Sequence, residues 1–194
     1  MMHTAFQYDD YILKRRVLAL TGKFNIDGPQ GQPLLYSEQR MFKLKEDVRI
    51  YSDPNKSQEL LHIKARQVID FSAAYDVVDS ASRSIVGTLQ RLGLRSLARD
   101  EWHIFDPHQQ KIGTIIEDDI TYAMLRRFLL GSLLPQNYDI LISGQKVADL
   151  RQRFNLFRYE MVIDFTQNQA KKLDPRLGIA AAILLGIIEG KQTS

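Results

Sequence analysis

The chain contains no cysteine. That excludes disulfides, thiolate metal ligands and cysteine nucleophiles, and it suits a reducing compartment. Histidine is scarce: the four residues, at 3, 62, 103 and 108, show no metal-ligand spacing. His103 alternates with Trp102 on an expected strand and His108 falls in a turn, so both read as ordinary. No G-x-S-x-G elbow or comparable nucleophile motif occurs. Asp53-x-Asn55-x-Ser57 starts like a calcium loop, but Gln58 stands where glycine is needed and Lys64 where the bidentate glutamate belongs. Gly186 to Lys191 (GIIEGK) fails as a phosphate loop, having three residues before the Gly-Lys pair where the motif needs four, and Gln192 after it. Glu117-Asp118-Asp119 is better explained by helix capping than by metal binding. The expectation is a protein that is not an enzyme and carries no cofactor.

The first sixteen residues hold charges at Asp9, Asp10 and Lys14 and no apolar h-region, which argues against a signal peptide and for a cytoplasmic chain. At 194 residues the sequence reads as a single domain, 1–194, able to bury about 70% of its unfolded surface. With 25% charged residues and 44% hydrophobic, it is not a disordered chain. A net charge of +3 permits an acidic partner without demanding one.

Long apolar runs are missing except for one, Leu177 to Ile188 (LGIAAAILLGII), which has no charged or polar side chain. Asp174 suits the N-cap of a helix, Pro175 its first turn, and Gly190 with Lys191 its C-terminal stop. A helix apolar on every face must be surrounded by protein or by lipid. Twelve residues give roughly 18 Å, whereas a bilayer core needs about 30 Å. Length favours a buried core helix over a membrane span. Small residues at 178, 182, 186 and 190 share one helix face, which predicts a wall lying close to the helix backbone.

The rest of the chain is strand-like. Tyr11 to Leu20 reads as an opening strand. Hairpins follow, turning at Asp27-Gly28-Pro29, Asp53-Pro54-Asn55, Asp79-Ser80, Asp106-Pro107 and Ser143-Gly144. The turn aspartates lie 26, 26 and 27 residues apart, and aspartate is favoured there because its side chain caps the turn backbone. Before the fifth hairpin, Asp119 to Leu134 reads as a short inserted helix, with apolar positions Ile120, Met124, Leu125, Phe128 and Leu129 at helical spacing. Arg158 to Phe165 is a closing strand. One opening strand, five hairpins and one closing strand predict a mainly β fold. It is a closed twelve-stranded antiparallel barrel around the apolar C-terminal helix, since closure removes exposed edges.

This pattern resembles the tubby-like superfamily, and within it the LURP-one-related and phospholipid-scramblase-like branch. The stretches that carry the resemblance are Tyr75 to Leu89 (YDVVDSASRSIVGTL), Trp102 to Ile116 (WHIFDPHQQKIGTII) and the terminal apolar run. It spans nearly the whole chain and is one of pattern. It implies the barrel fold and, from tubby domains, affinity of a basic surface for phosphoinositides. The scramblase pattern is departed from: there is no cysteine cluster, no proline-rich N-terminal segment and no helix long enough to cross a bilayer.

Three basic clusters are candidates for anionic headgroups. They are Lys14, Arg15 and Arg16 on the opening strand; Arg91, Arg95 and Arg99, which share a face at a spacing of four; and Arg126 and Arg127 on the inserted helix. On a strand, Leu92 would turn inward, away from Arg91. The alternative is that all three are solvated surface. Nucleic acid is disfavoured because no aromatics interleave with Arg91 to Arg99. The function expected is peripheral membrane association with anionic phospholipid; the alternative is a protein-interaction scaffold without lipid affinity.

Overall fold

The computed structural model describes residues 2–16, 22–39, 47–66, 73–92, 101–118, 136–153, 155 and 158–192, with only the backbone of Arg16, Gln39 and 189–192. The expected inserted helix at 119–134, with Arg126 and Arg127, lies outside the described residues, as do Arg95 and Arg99.

Twelve strands follow in chain order. They are β1 (Asp10–Arg16), β2 (Gly22–Asp27), β3 (Pro33–Gln39), β4 (Asp47–Tyr51), β5 (Glu59–Ala65) and β6 (Ala73–Asp79). The second half comprises β7 (Ile85–Arg91), β8 (Glu101–Phe105), β9 (Lys111–Glu117), β10 (Asn137–Ile142), β11 (Gln145–Arg153) and β12 (Arg158–Asp164). Each pairs antiparallel with its sequence neighbours, and β1 pairs with β12 to close the barrel, as the hairpin count predicts. Alternation sends Tyr11 and Leu13 of β1, Phe24 and Ile26 of β2, and Tyr159, Met161 and Ile163 of β12 into the lumen, all buried.

The helix α1 (Pro175–Gln192) fills that lumen. From Leu177 to Ile187 its large side chains are at most 2% exposed, so the barrel is what surrounds it. Its N-cap is as expected: Asp174 Oδ1 accepts from the Arg176 N–H at 3.0 Å. Its end is not. The backbone stays helical through Gln192, past Gly190, because glycine permits a left-handed exit without imposing one. The small-residue face does meet a close wall. A Cβ on Gly178 would lie 2.4 Å from the Phe165 ring, and one on Gly186 would lie 3.0 Å from both Phe24 and Tyr159. Phe165 and Tyr159 bracket β12, so helix and strand run antiparallel and Gly186 of α1 lies against the first residues of β12.

The two barrel ends differ. All five hairpin turns lie at the helix N-terminal end, where the 3-10 turn Thr4–Phe6 also inserts Phe6, 2% exposed, into the core. Three turn aspartates cap as expected. Asp53 accepts from the Asn55 N–H, Asp79 from that of Ser82, and Asp106 from those of His108 and Gln110. Asp27 differs, turning instead to Lys14 Nζ at 2.9 Å. Each hairpin also carries a register shift next to its turn, as at Ile50/Tyr51 and Ile104/Phe105. Such bulges bend and twist a strand pair, which a closed barrel requires.

Candidate functional site

The basic residues do not assemble as their order in the chain suggests. Along β1 successive side chains alternate faces, so Lys14 and Arg15 separate. Lys14 is outside, in its ion pair with Asp27. Arg15 follows Tyr11 and Leu13 inward, and its guanidinium sits 5.8 Å from the Phe24 ring and 5.7 Å from the Tyr159 ring. Those are the rings that pack on Gly186, so Arg15 lies beside the C-terminal half of α1, where the helix dipole favours a cation.

Arg91 ends β7 directly opposite Trp102, which is 1% exposed, and continues the inward row from Leu89. The expectation that Leu92 turns inward, away from Arg91, is therefore reversed: Leu89 and Trp102 set the register, and both are core. In the strand order β7 stands across the barrel from β1, so Arg91 and the β1 residues form no common patch.

What the fold brings together instead is a row across β12, β1 and β2. Arg158 is directly opposite Arg16, and the β1–β2 register, which pairs Arg15 with Phe24, places Lys23 beside Arg16 on the far side. Arg158 and Lys23 are exposed. At about 4.8 Å per strand, the row spans about 10 Å. Arg153, one hairpin connection before Arg158, adds a guanidinium whose side chain is 59% exposed and which meets Glu160 at 3.1 Å. Several other described cations, like Arg153, are neutralised at short range: Arg49 by Glu59 at 2.7 Å, Lys56 by Glu38 at 3.0 Å, Arg66 by Asp76 at 2.8 Å and Arg176 by Asp79 at 2.8 Å.

Farther along the same strands lies the opposite arrangement, at the hairpin-turn end of β1 and β12 but at the middle of β11 and in the half of β10 away from its turn. Asp139, Asp149, Asp164 and Asp10 are in register across β10, β11, β12 and β1. Lys146 reaches Asp139 at 2.7 Å and Asp149 at 2.5 Å. Burial works against the charge on Lys146, yet bonds to the two carboxylates hold its pKa above the ordinary lysine value. Burial, then the charges of Asp164 and Asp9, push the Asp10 pKa up. Among the described residues, no group of three or more acidic or histidine side chains is arranged to hold a metal ion.

Two other polar clusters are internally satisfied. His62 Nε2 bonds Asp47, whose pKa is held down by His62 and Arg49 against the opposing effect of burial. On the barrel exterior, Asp76 accepts from Arg66 at 2.8 Å and from Thr88 at 2.7 Å, while Gln109 bonds both Arg66 and Thr88. With their groups engaged on one another, these clusters read as structural.

Sequence reasoning placed Arg16 in a cluster but missed Lys23, Arg153 and Arg158. The signal available was the closing-strand assignment: once β12 is paired with β1, Arg158 must fall near the end of β1. Among curated proteins, none matches this chain. The LURP-one-related family model matches residues 34–186, most of the barrel and the greater part of α1. A barrel built of hairpins around its own C-terminal helix, and a family match over most of its length, agree: the chain belongs to the LURP-one-related family.

Proposed function

We propose that this domain is a non-enzymatic cytoplasmic module that associates peripherally with anionic phospholipid. One observation carries the reading: Arg158 stands directly opposite Arg16, with Lys23 next in the row. Cations at adjacent register positions would give a phosphate oxygen more than one partner. Each such cation near an anionic surface contributes about 1 kcal/mol of attraction. Among the described residues no helix is long and apolar enough to cross a membrane, so the proposed association is with the bilayer surface. The scramblase-like resemblance is taken no further than headgroup binding.

Vesicle sedimentation tests this. Binding is expected with phosphatidylserine or phosphoinositide in the vesicle and not with phosphatidylcholine alone. It should fade with salt, as the Debye length shrinks from about 10 Å at 0.1 M to about 3 Å at 1 M. A protein that sediments with no vesicle at any salt would instead be a protein-interaction scaffold.

A further inference from the structure

We infer that the outer face of the β1–β12 seam is a contact between two copies of this chain, packed with their seams antiparallel. The inference goes beyond the lipid reading and does not depend on it. Alternation assigns four directly opposed pairs to the outside of the seam: Asp10 with Asp164, Ile12 with Val162, Lys14 with Glu160, and Arg16 with Arg158. The pairs run from acidic, through apolar and mixed, to basic. First and last are six residues apart, about 20 Å.

The middle of this strip is less polar than its composition suggests. Lys14 Nζ is drawn sideways to Asp27 on β2 at 2.9 Å, and Glu160 sideways to Arg153 on β11 at 3.1 Å. That leaves the Ile12–Val162 pair and two methylene stems along the centre, all partly exposed. On the flanks, Lys146 and Arg151 both reach Asp149, at 2.5 and 3.1 Å. Lys23 adds an exposed cation at the basic end, opposite Glu38 on β3.

A two-fold axis running across the strands reverses one seam against the other. Each acidic pair then faces the second copy's basic pair, twice over, and Ile12 with Val162 lies on the second copy's Lys14 and Glu160 stems. An axis along the strands would instead set acidic on acidic and basic on basic. Charge therefore selects the antiparallel arrangement, and a second copy is the partner whose pattern complements this one. Arg151 and Arg153 come opposite each other on β11, but each is held by its own carboxylate and the closed wall curves away there. The strip is about 20 Å by 14 Å, smaller than the roughly 800 Å² per partner that stable complexes bury. The dimer is accordingly weak and sensitive to salt.

Sedimentation equilibrium of the full chain, without lipid, tests this. The wild type should self-associate at near-millimolar concentration in low salt and return to monomer in about 1 M salt. Asp164→Arg alone, or Arg158→Asp alone, makes the contact between positions 164 and 158 like-charged on both sides of the axis. Each should weaken association at least about tenfold. Mixed one to one, the two variants should associate again, because both contacts then join opposite charges. Thermal melts establish that each variant is folded. Asp164 also accepts from the Thr166 N–H and hydroxyl, so if Asp164→Arg does not fold, Asp10→Arg takes its place with the same outcome expected.

A wild type that stays monomeric at near-millimolar concentration in low salt overturns the inference. If that monomer binds anionic vesicles, the lipid reading stands alone. Self-association that neither reversal weakens, or a mixture that associates no better than its components, overturns the seam contact as well.

Discussion

Asp10 shows how a single position records the charge arrangement. It begins β1 opposite Asp164, with Asp9 adjacent, and burial together with these two carboxylates raises its pKa above 3.8. The folded chain therefore holds this proton to a higher pH than the unfolded chain does. Its contribution is a stability that is present at low pH and lost as pH rises through that window. Asp10→Asn should consequently raise the melting temperature at neutral pH, by an amount corresponding to less than about 1 kcal/mol because the site is part-exposed. Wild type and variant should converge near pH 3, where the unfolded carboxyl is also protonated. A variant that melts lower than wild type at neutral pH would show that the Asp10 carboxylate is a favourable partner rather than a repelled one. None of this could be read from the sequence, in which Asp10, Asp139, Asp149 and Asp164 are unremarkable acids on different segments. The same holds for Arg158 and Lys23, 135 positions apart and neighbours only through the β1–β12 seam. Arg15 inverted its expected role because strand alternation, which the triplet Lys14-Arg15-Arg16 conceals, sends every second residue to the lumen.

At the scale of the element, α1 decides the fold. Its composition announced it, since a run apolar on all sides has to be enclosed, and the hairpin spacing announced what encloses it. The bulge beside each turn was not legible, because a register shift depends on how two strands meet and leaves no residue signature in Ile50/Tyr51 or Ile104/Phe105. Nor was the full extent of the helix, since Gly190 sits inside it. The buried side chains of Leu177, Ile179, Ile183, Leu184, Leu185 and Ile187 stabilise the barrel by roughly 10–20 kcal/mol gross, an upper figure based on an extended unfolded chain. Net stabilities of domains are about 5–15 kcal/mol. A chain ending at Leu173 should therefore lose cooperative unfolding and its near-ultraviolet dichroism, and should bind an apolar dye. If it keeps a sharp transition near that of the full chain, α1 is not the core on which the strands are built.

For the whole molecule, the β1–β12 seam makes the barrel an all-or-none object. Seven residue pairs, from Asp10↔Asp164 to Arg16↔Arg158, join the first strand to the last, and α1 follows the last strand in the chain. The helix is thus enclosed by a wall whose closing seam lies next to it, with Gly178 and Gly186 set against Phe165 and Tyr159 at the two ends of β12. Withdrawing α1 would expose its apolar surface and the lumen lining in one step. Opening the seam would break a ladder with no edge strand ready to replace it. The two events are therefore expected to be one. Native-state hydrogen exchange reads this directly, because amides that open only by global unfolding share a single free energy and a single denaturant dependence. The amides of Ile179 to Leu185, of Ile12 to Lys14 and of Met161 to Ile163 should fall on one isotherm equal to the free energy of unfolding. Helix amides that exchange at a distinctly lower free energy, while the seam stays protected, would mean that α1 leaves a standing barrel. The lumen would then be a space the protein can open.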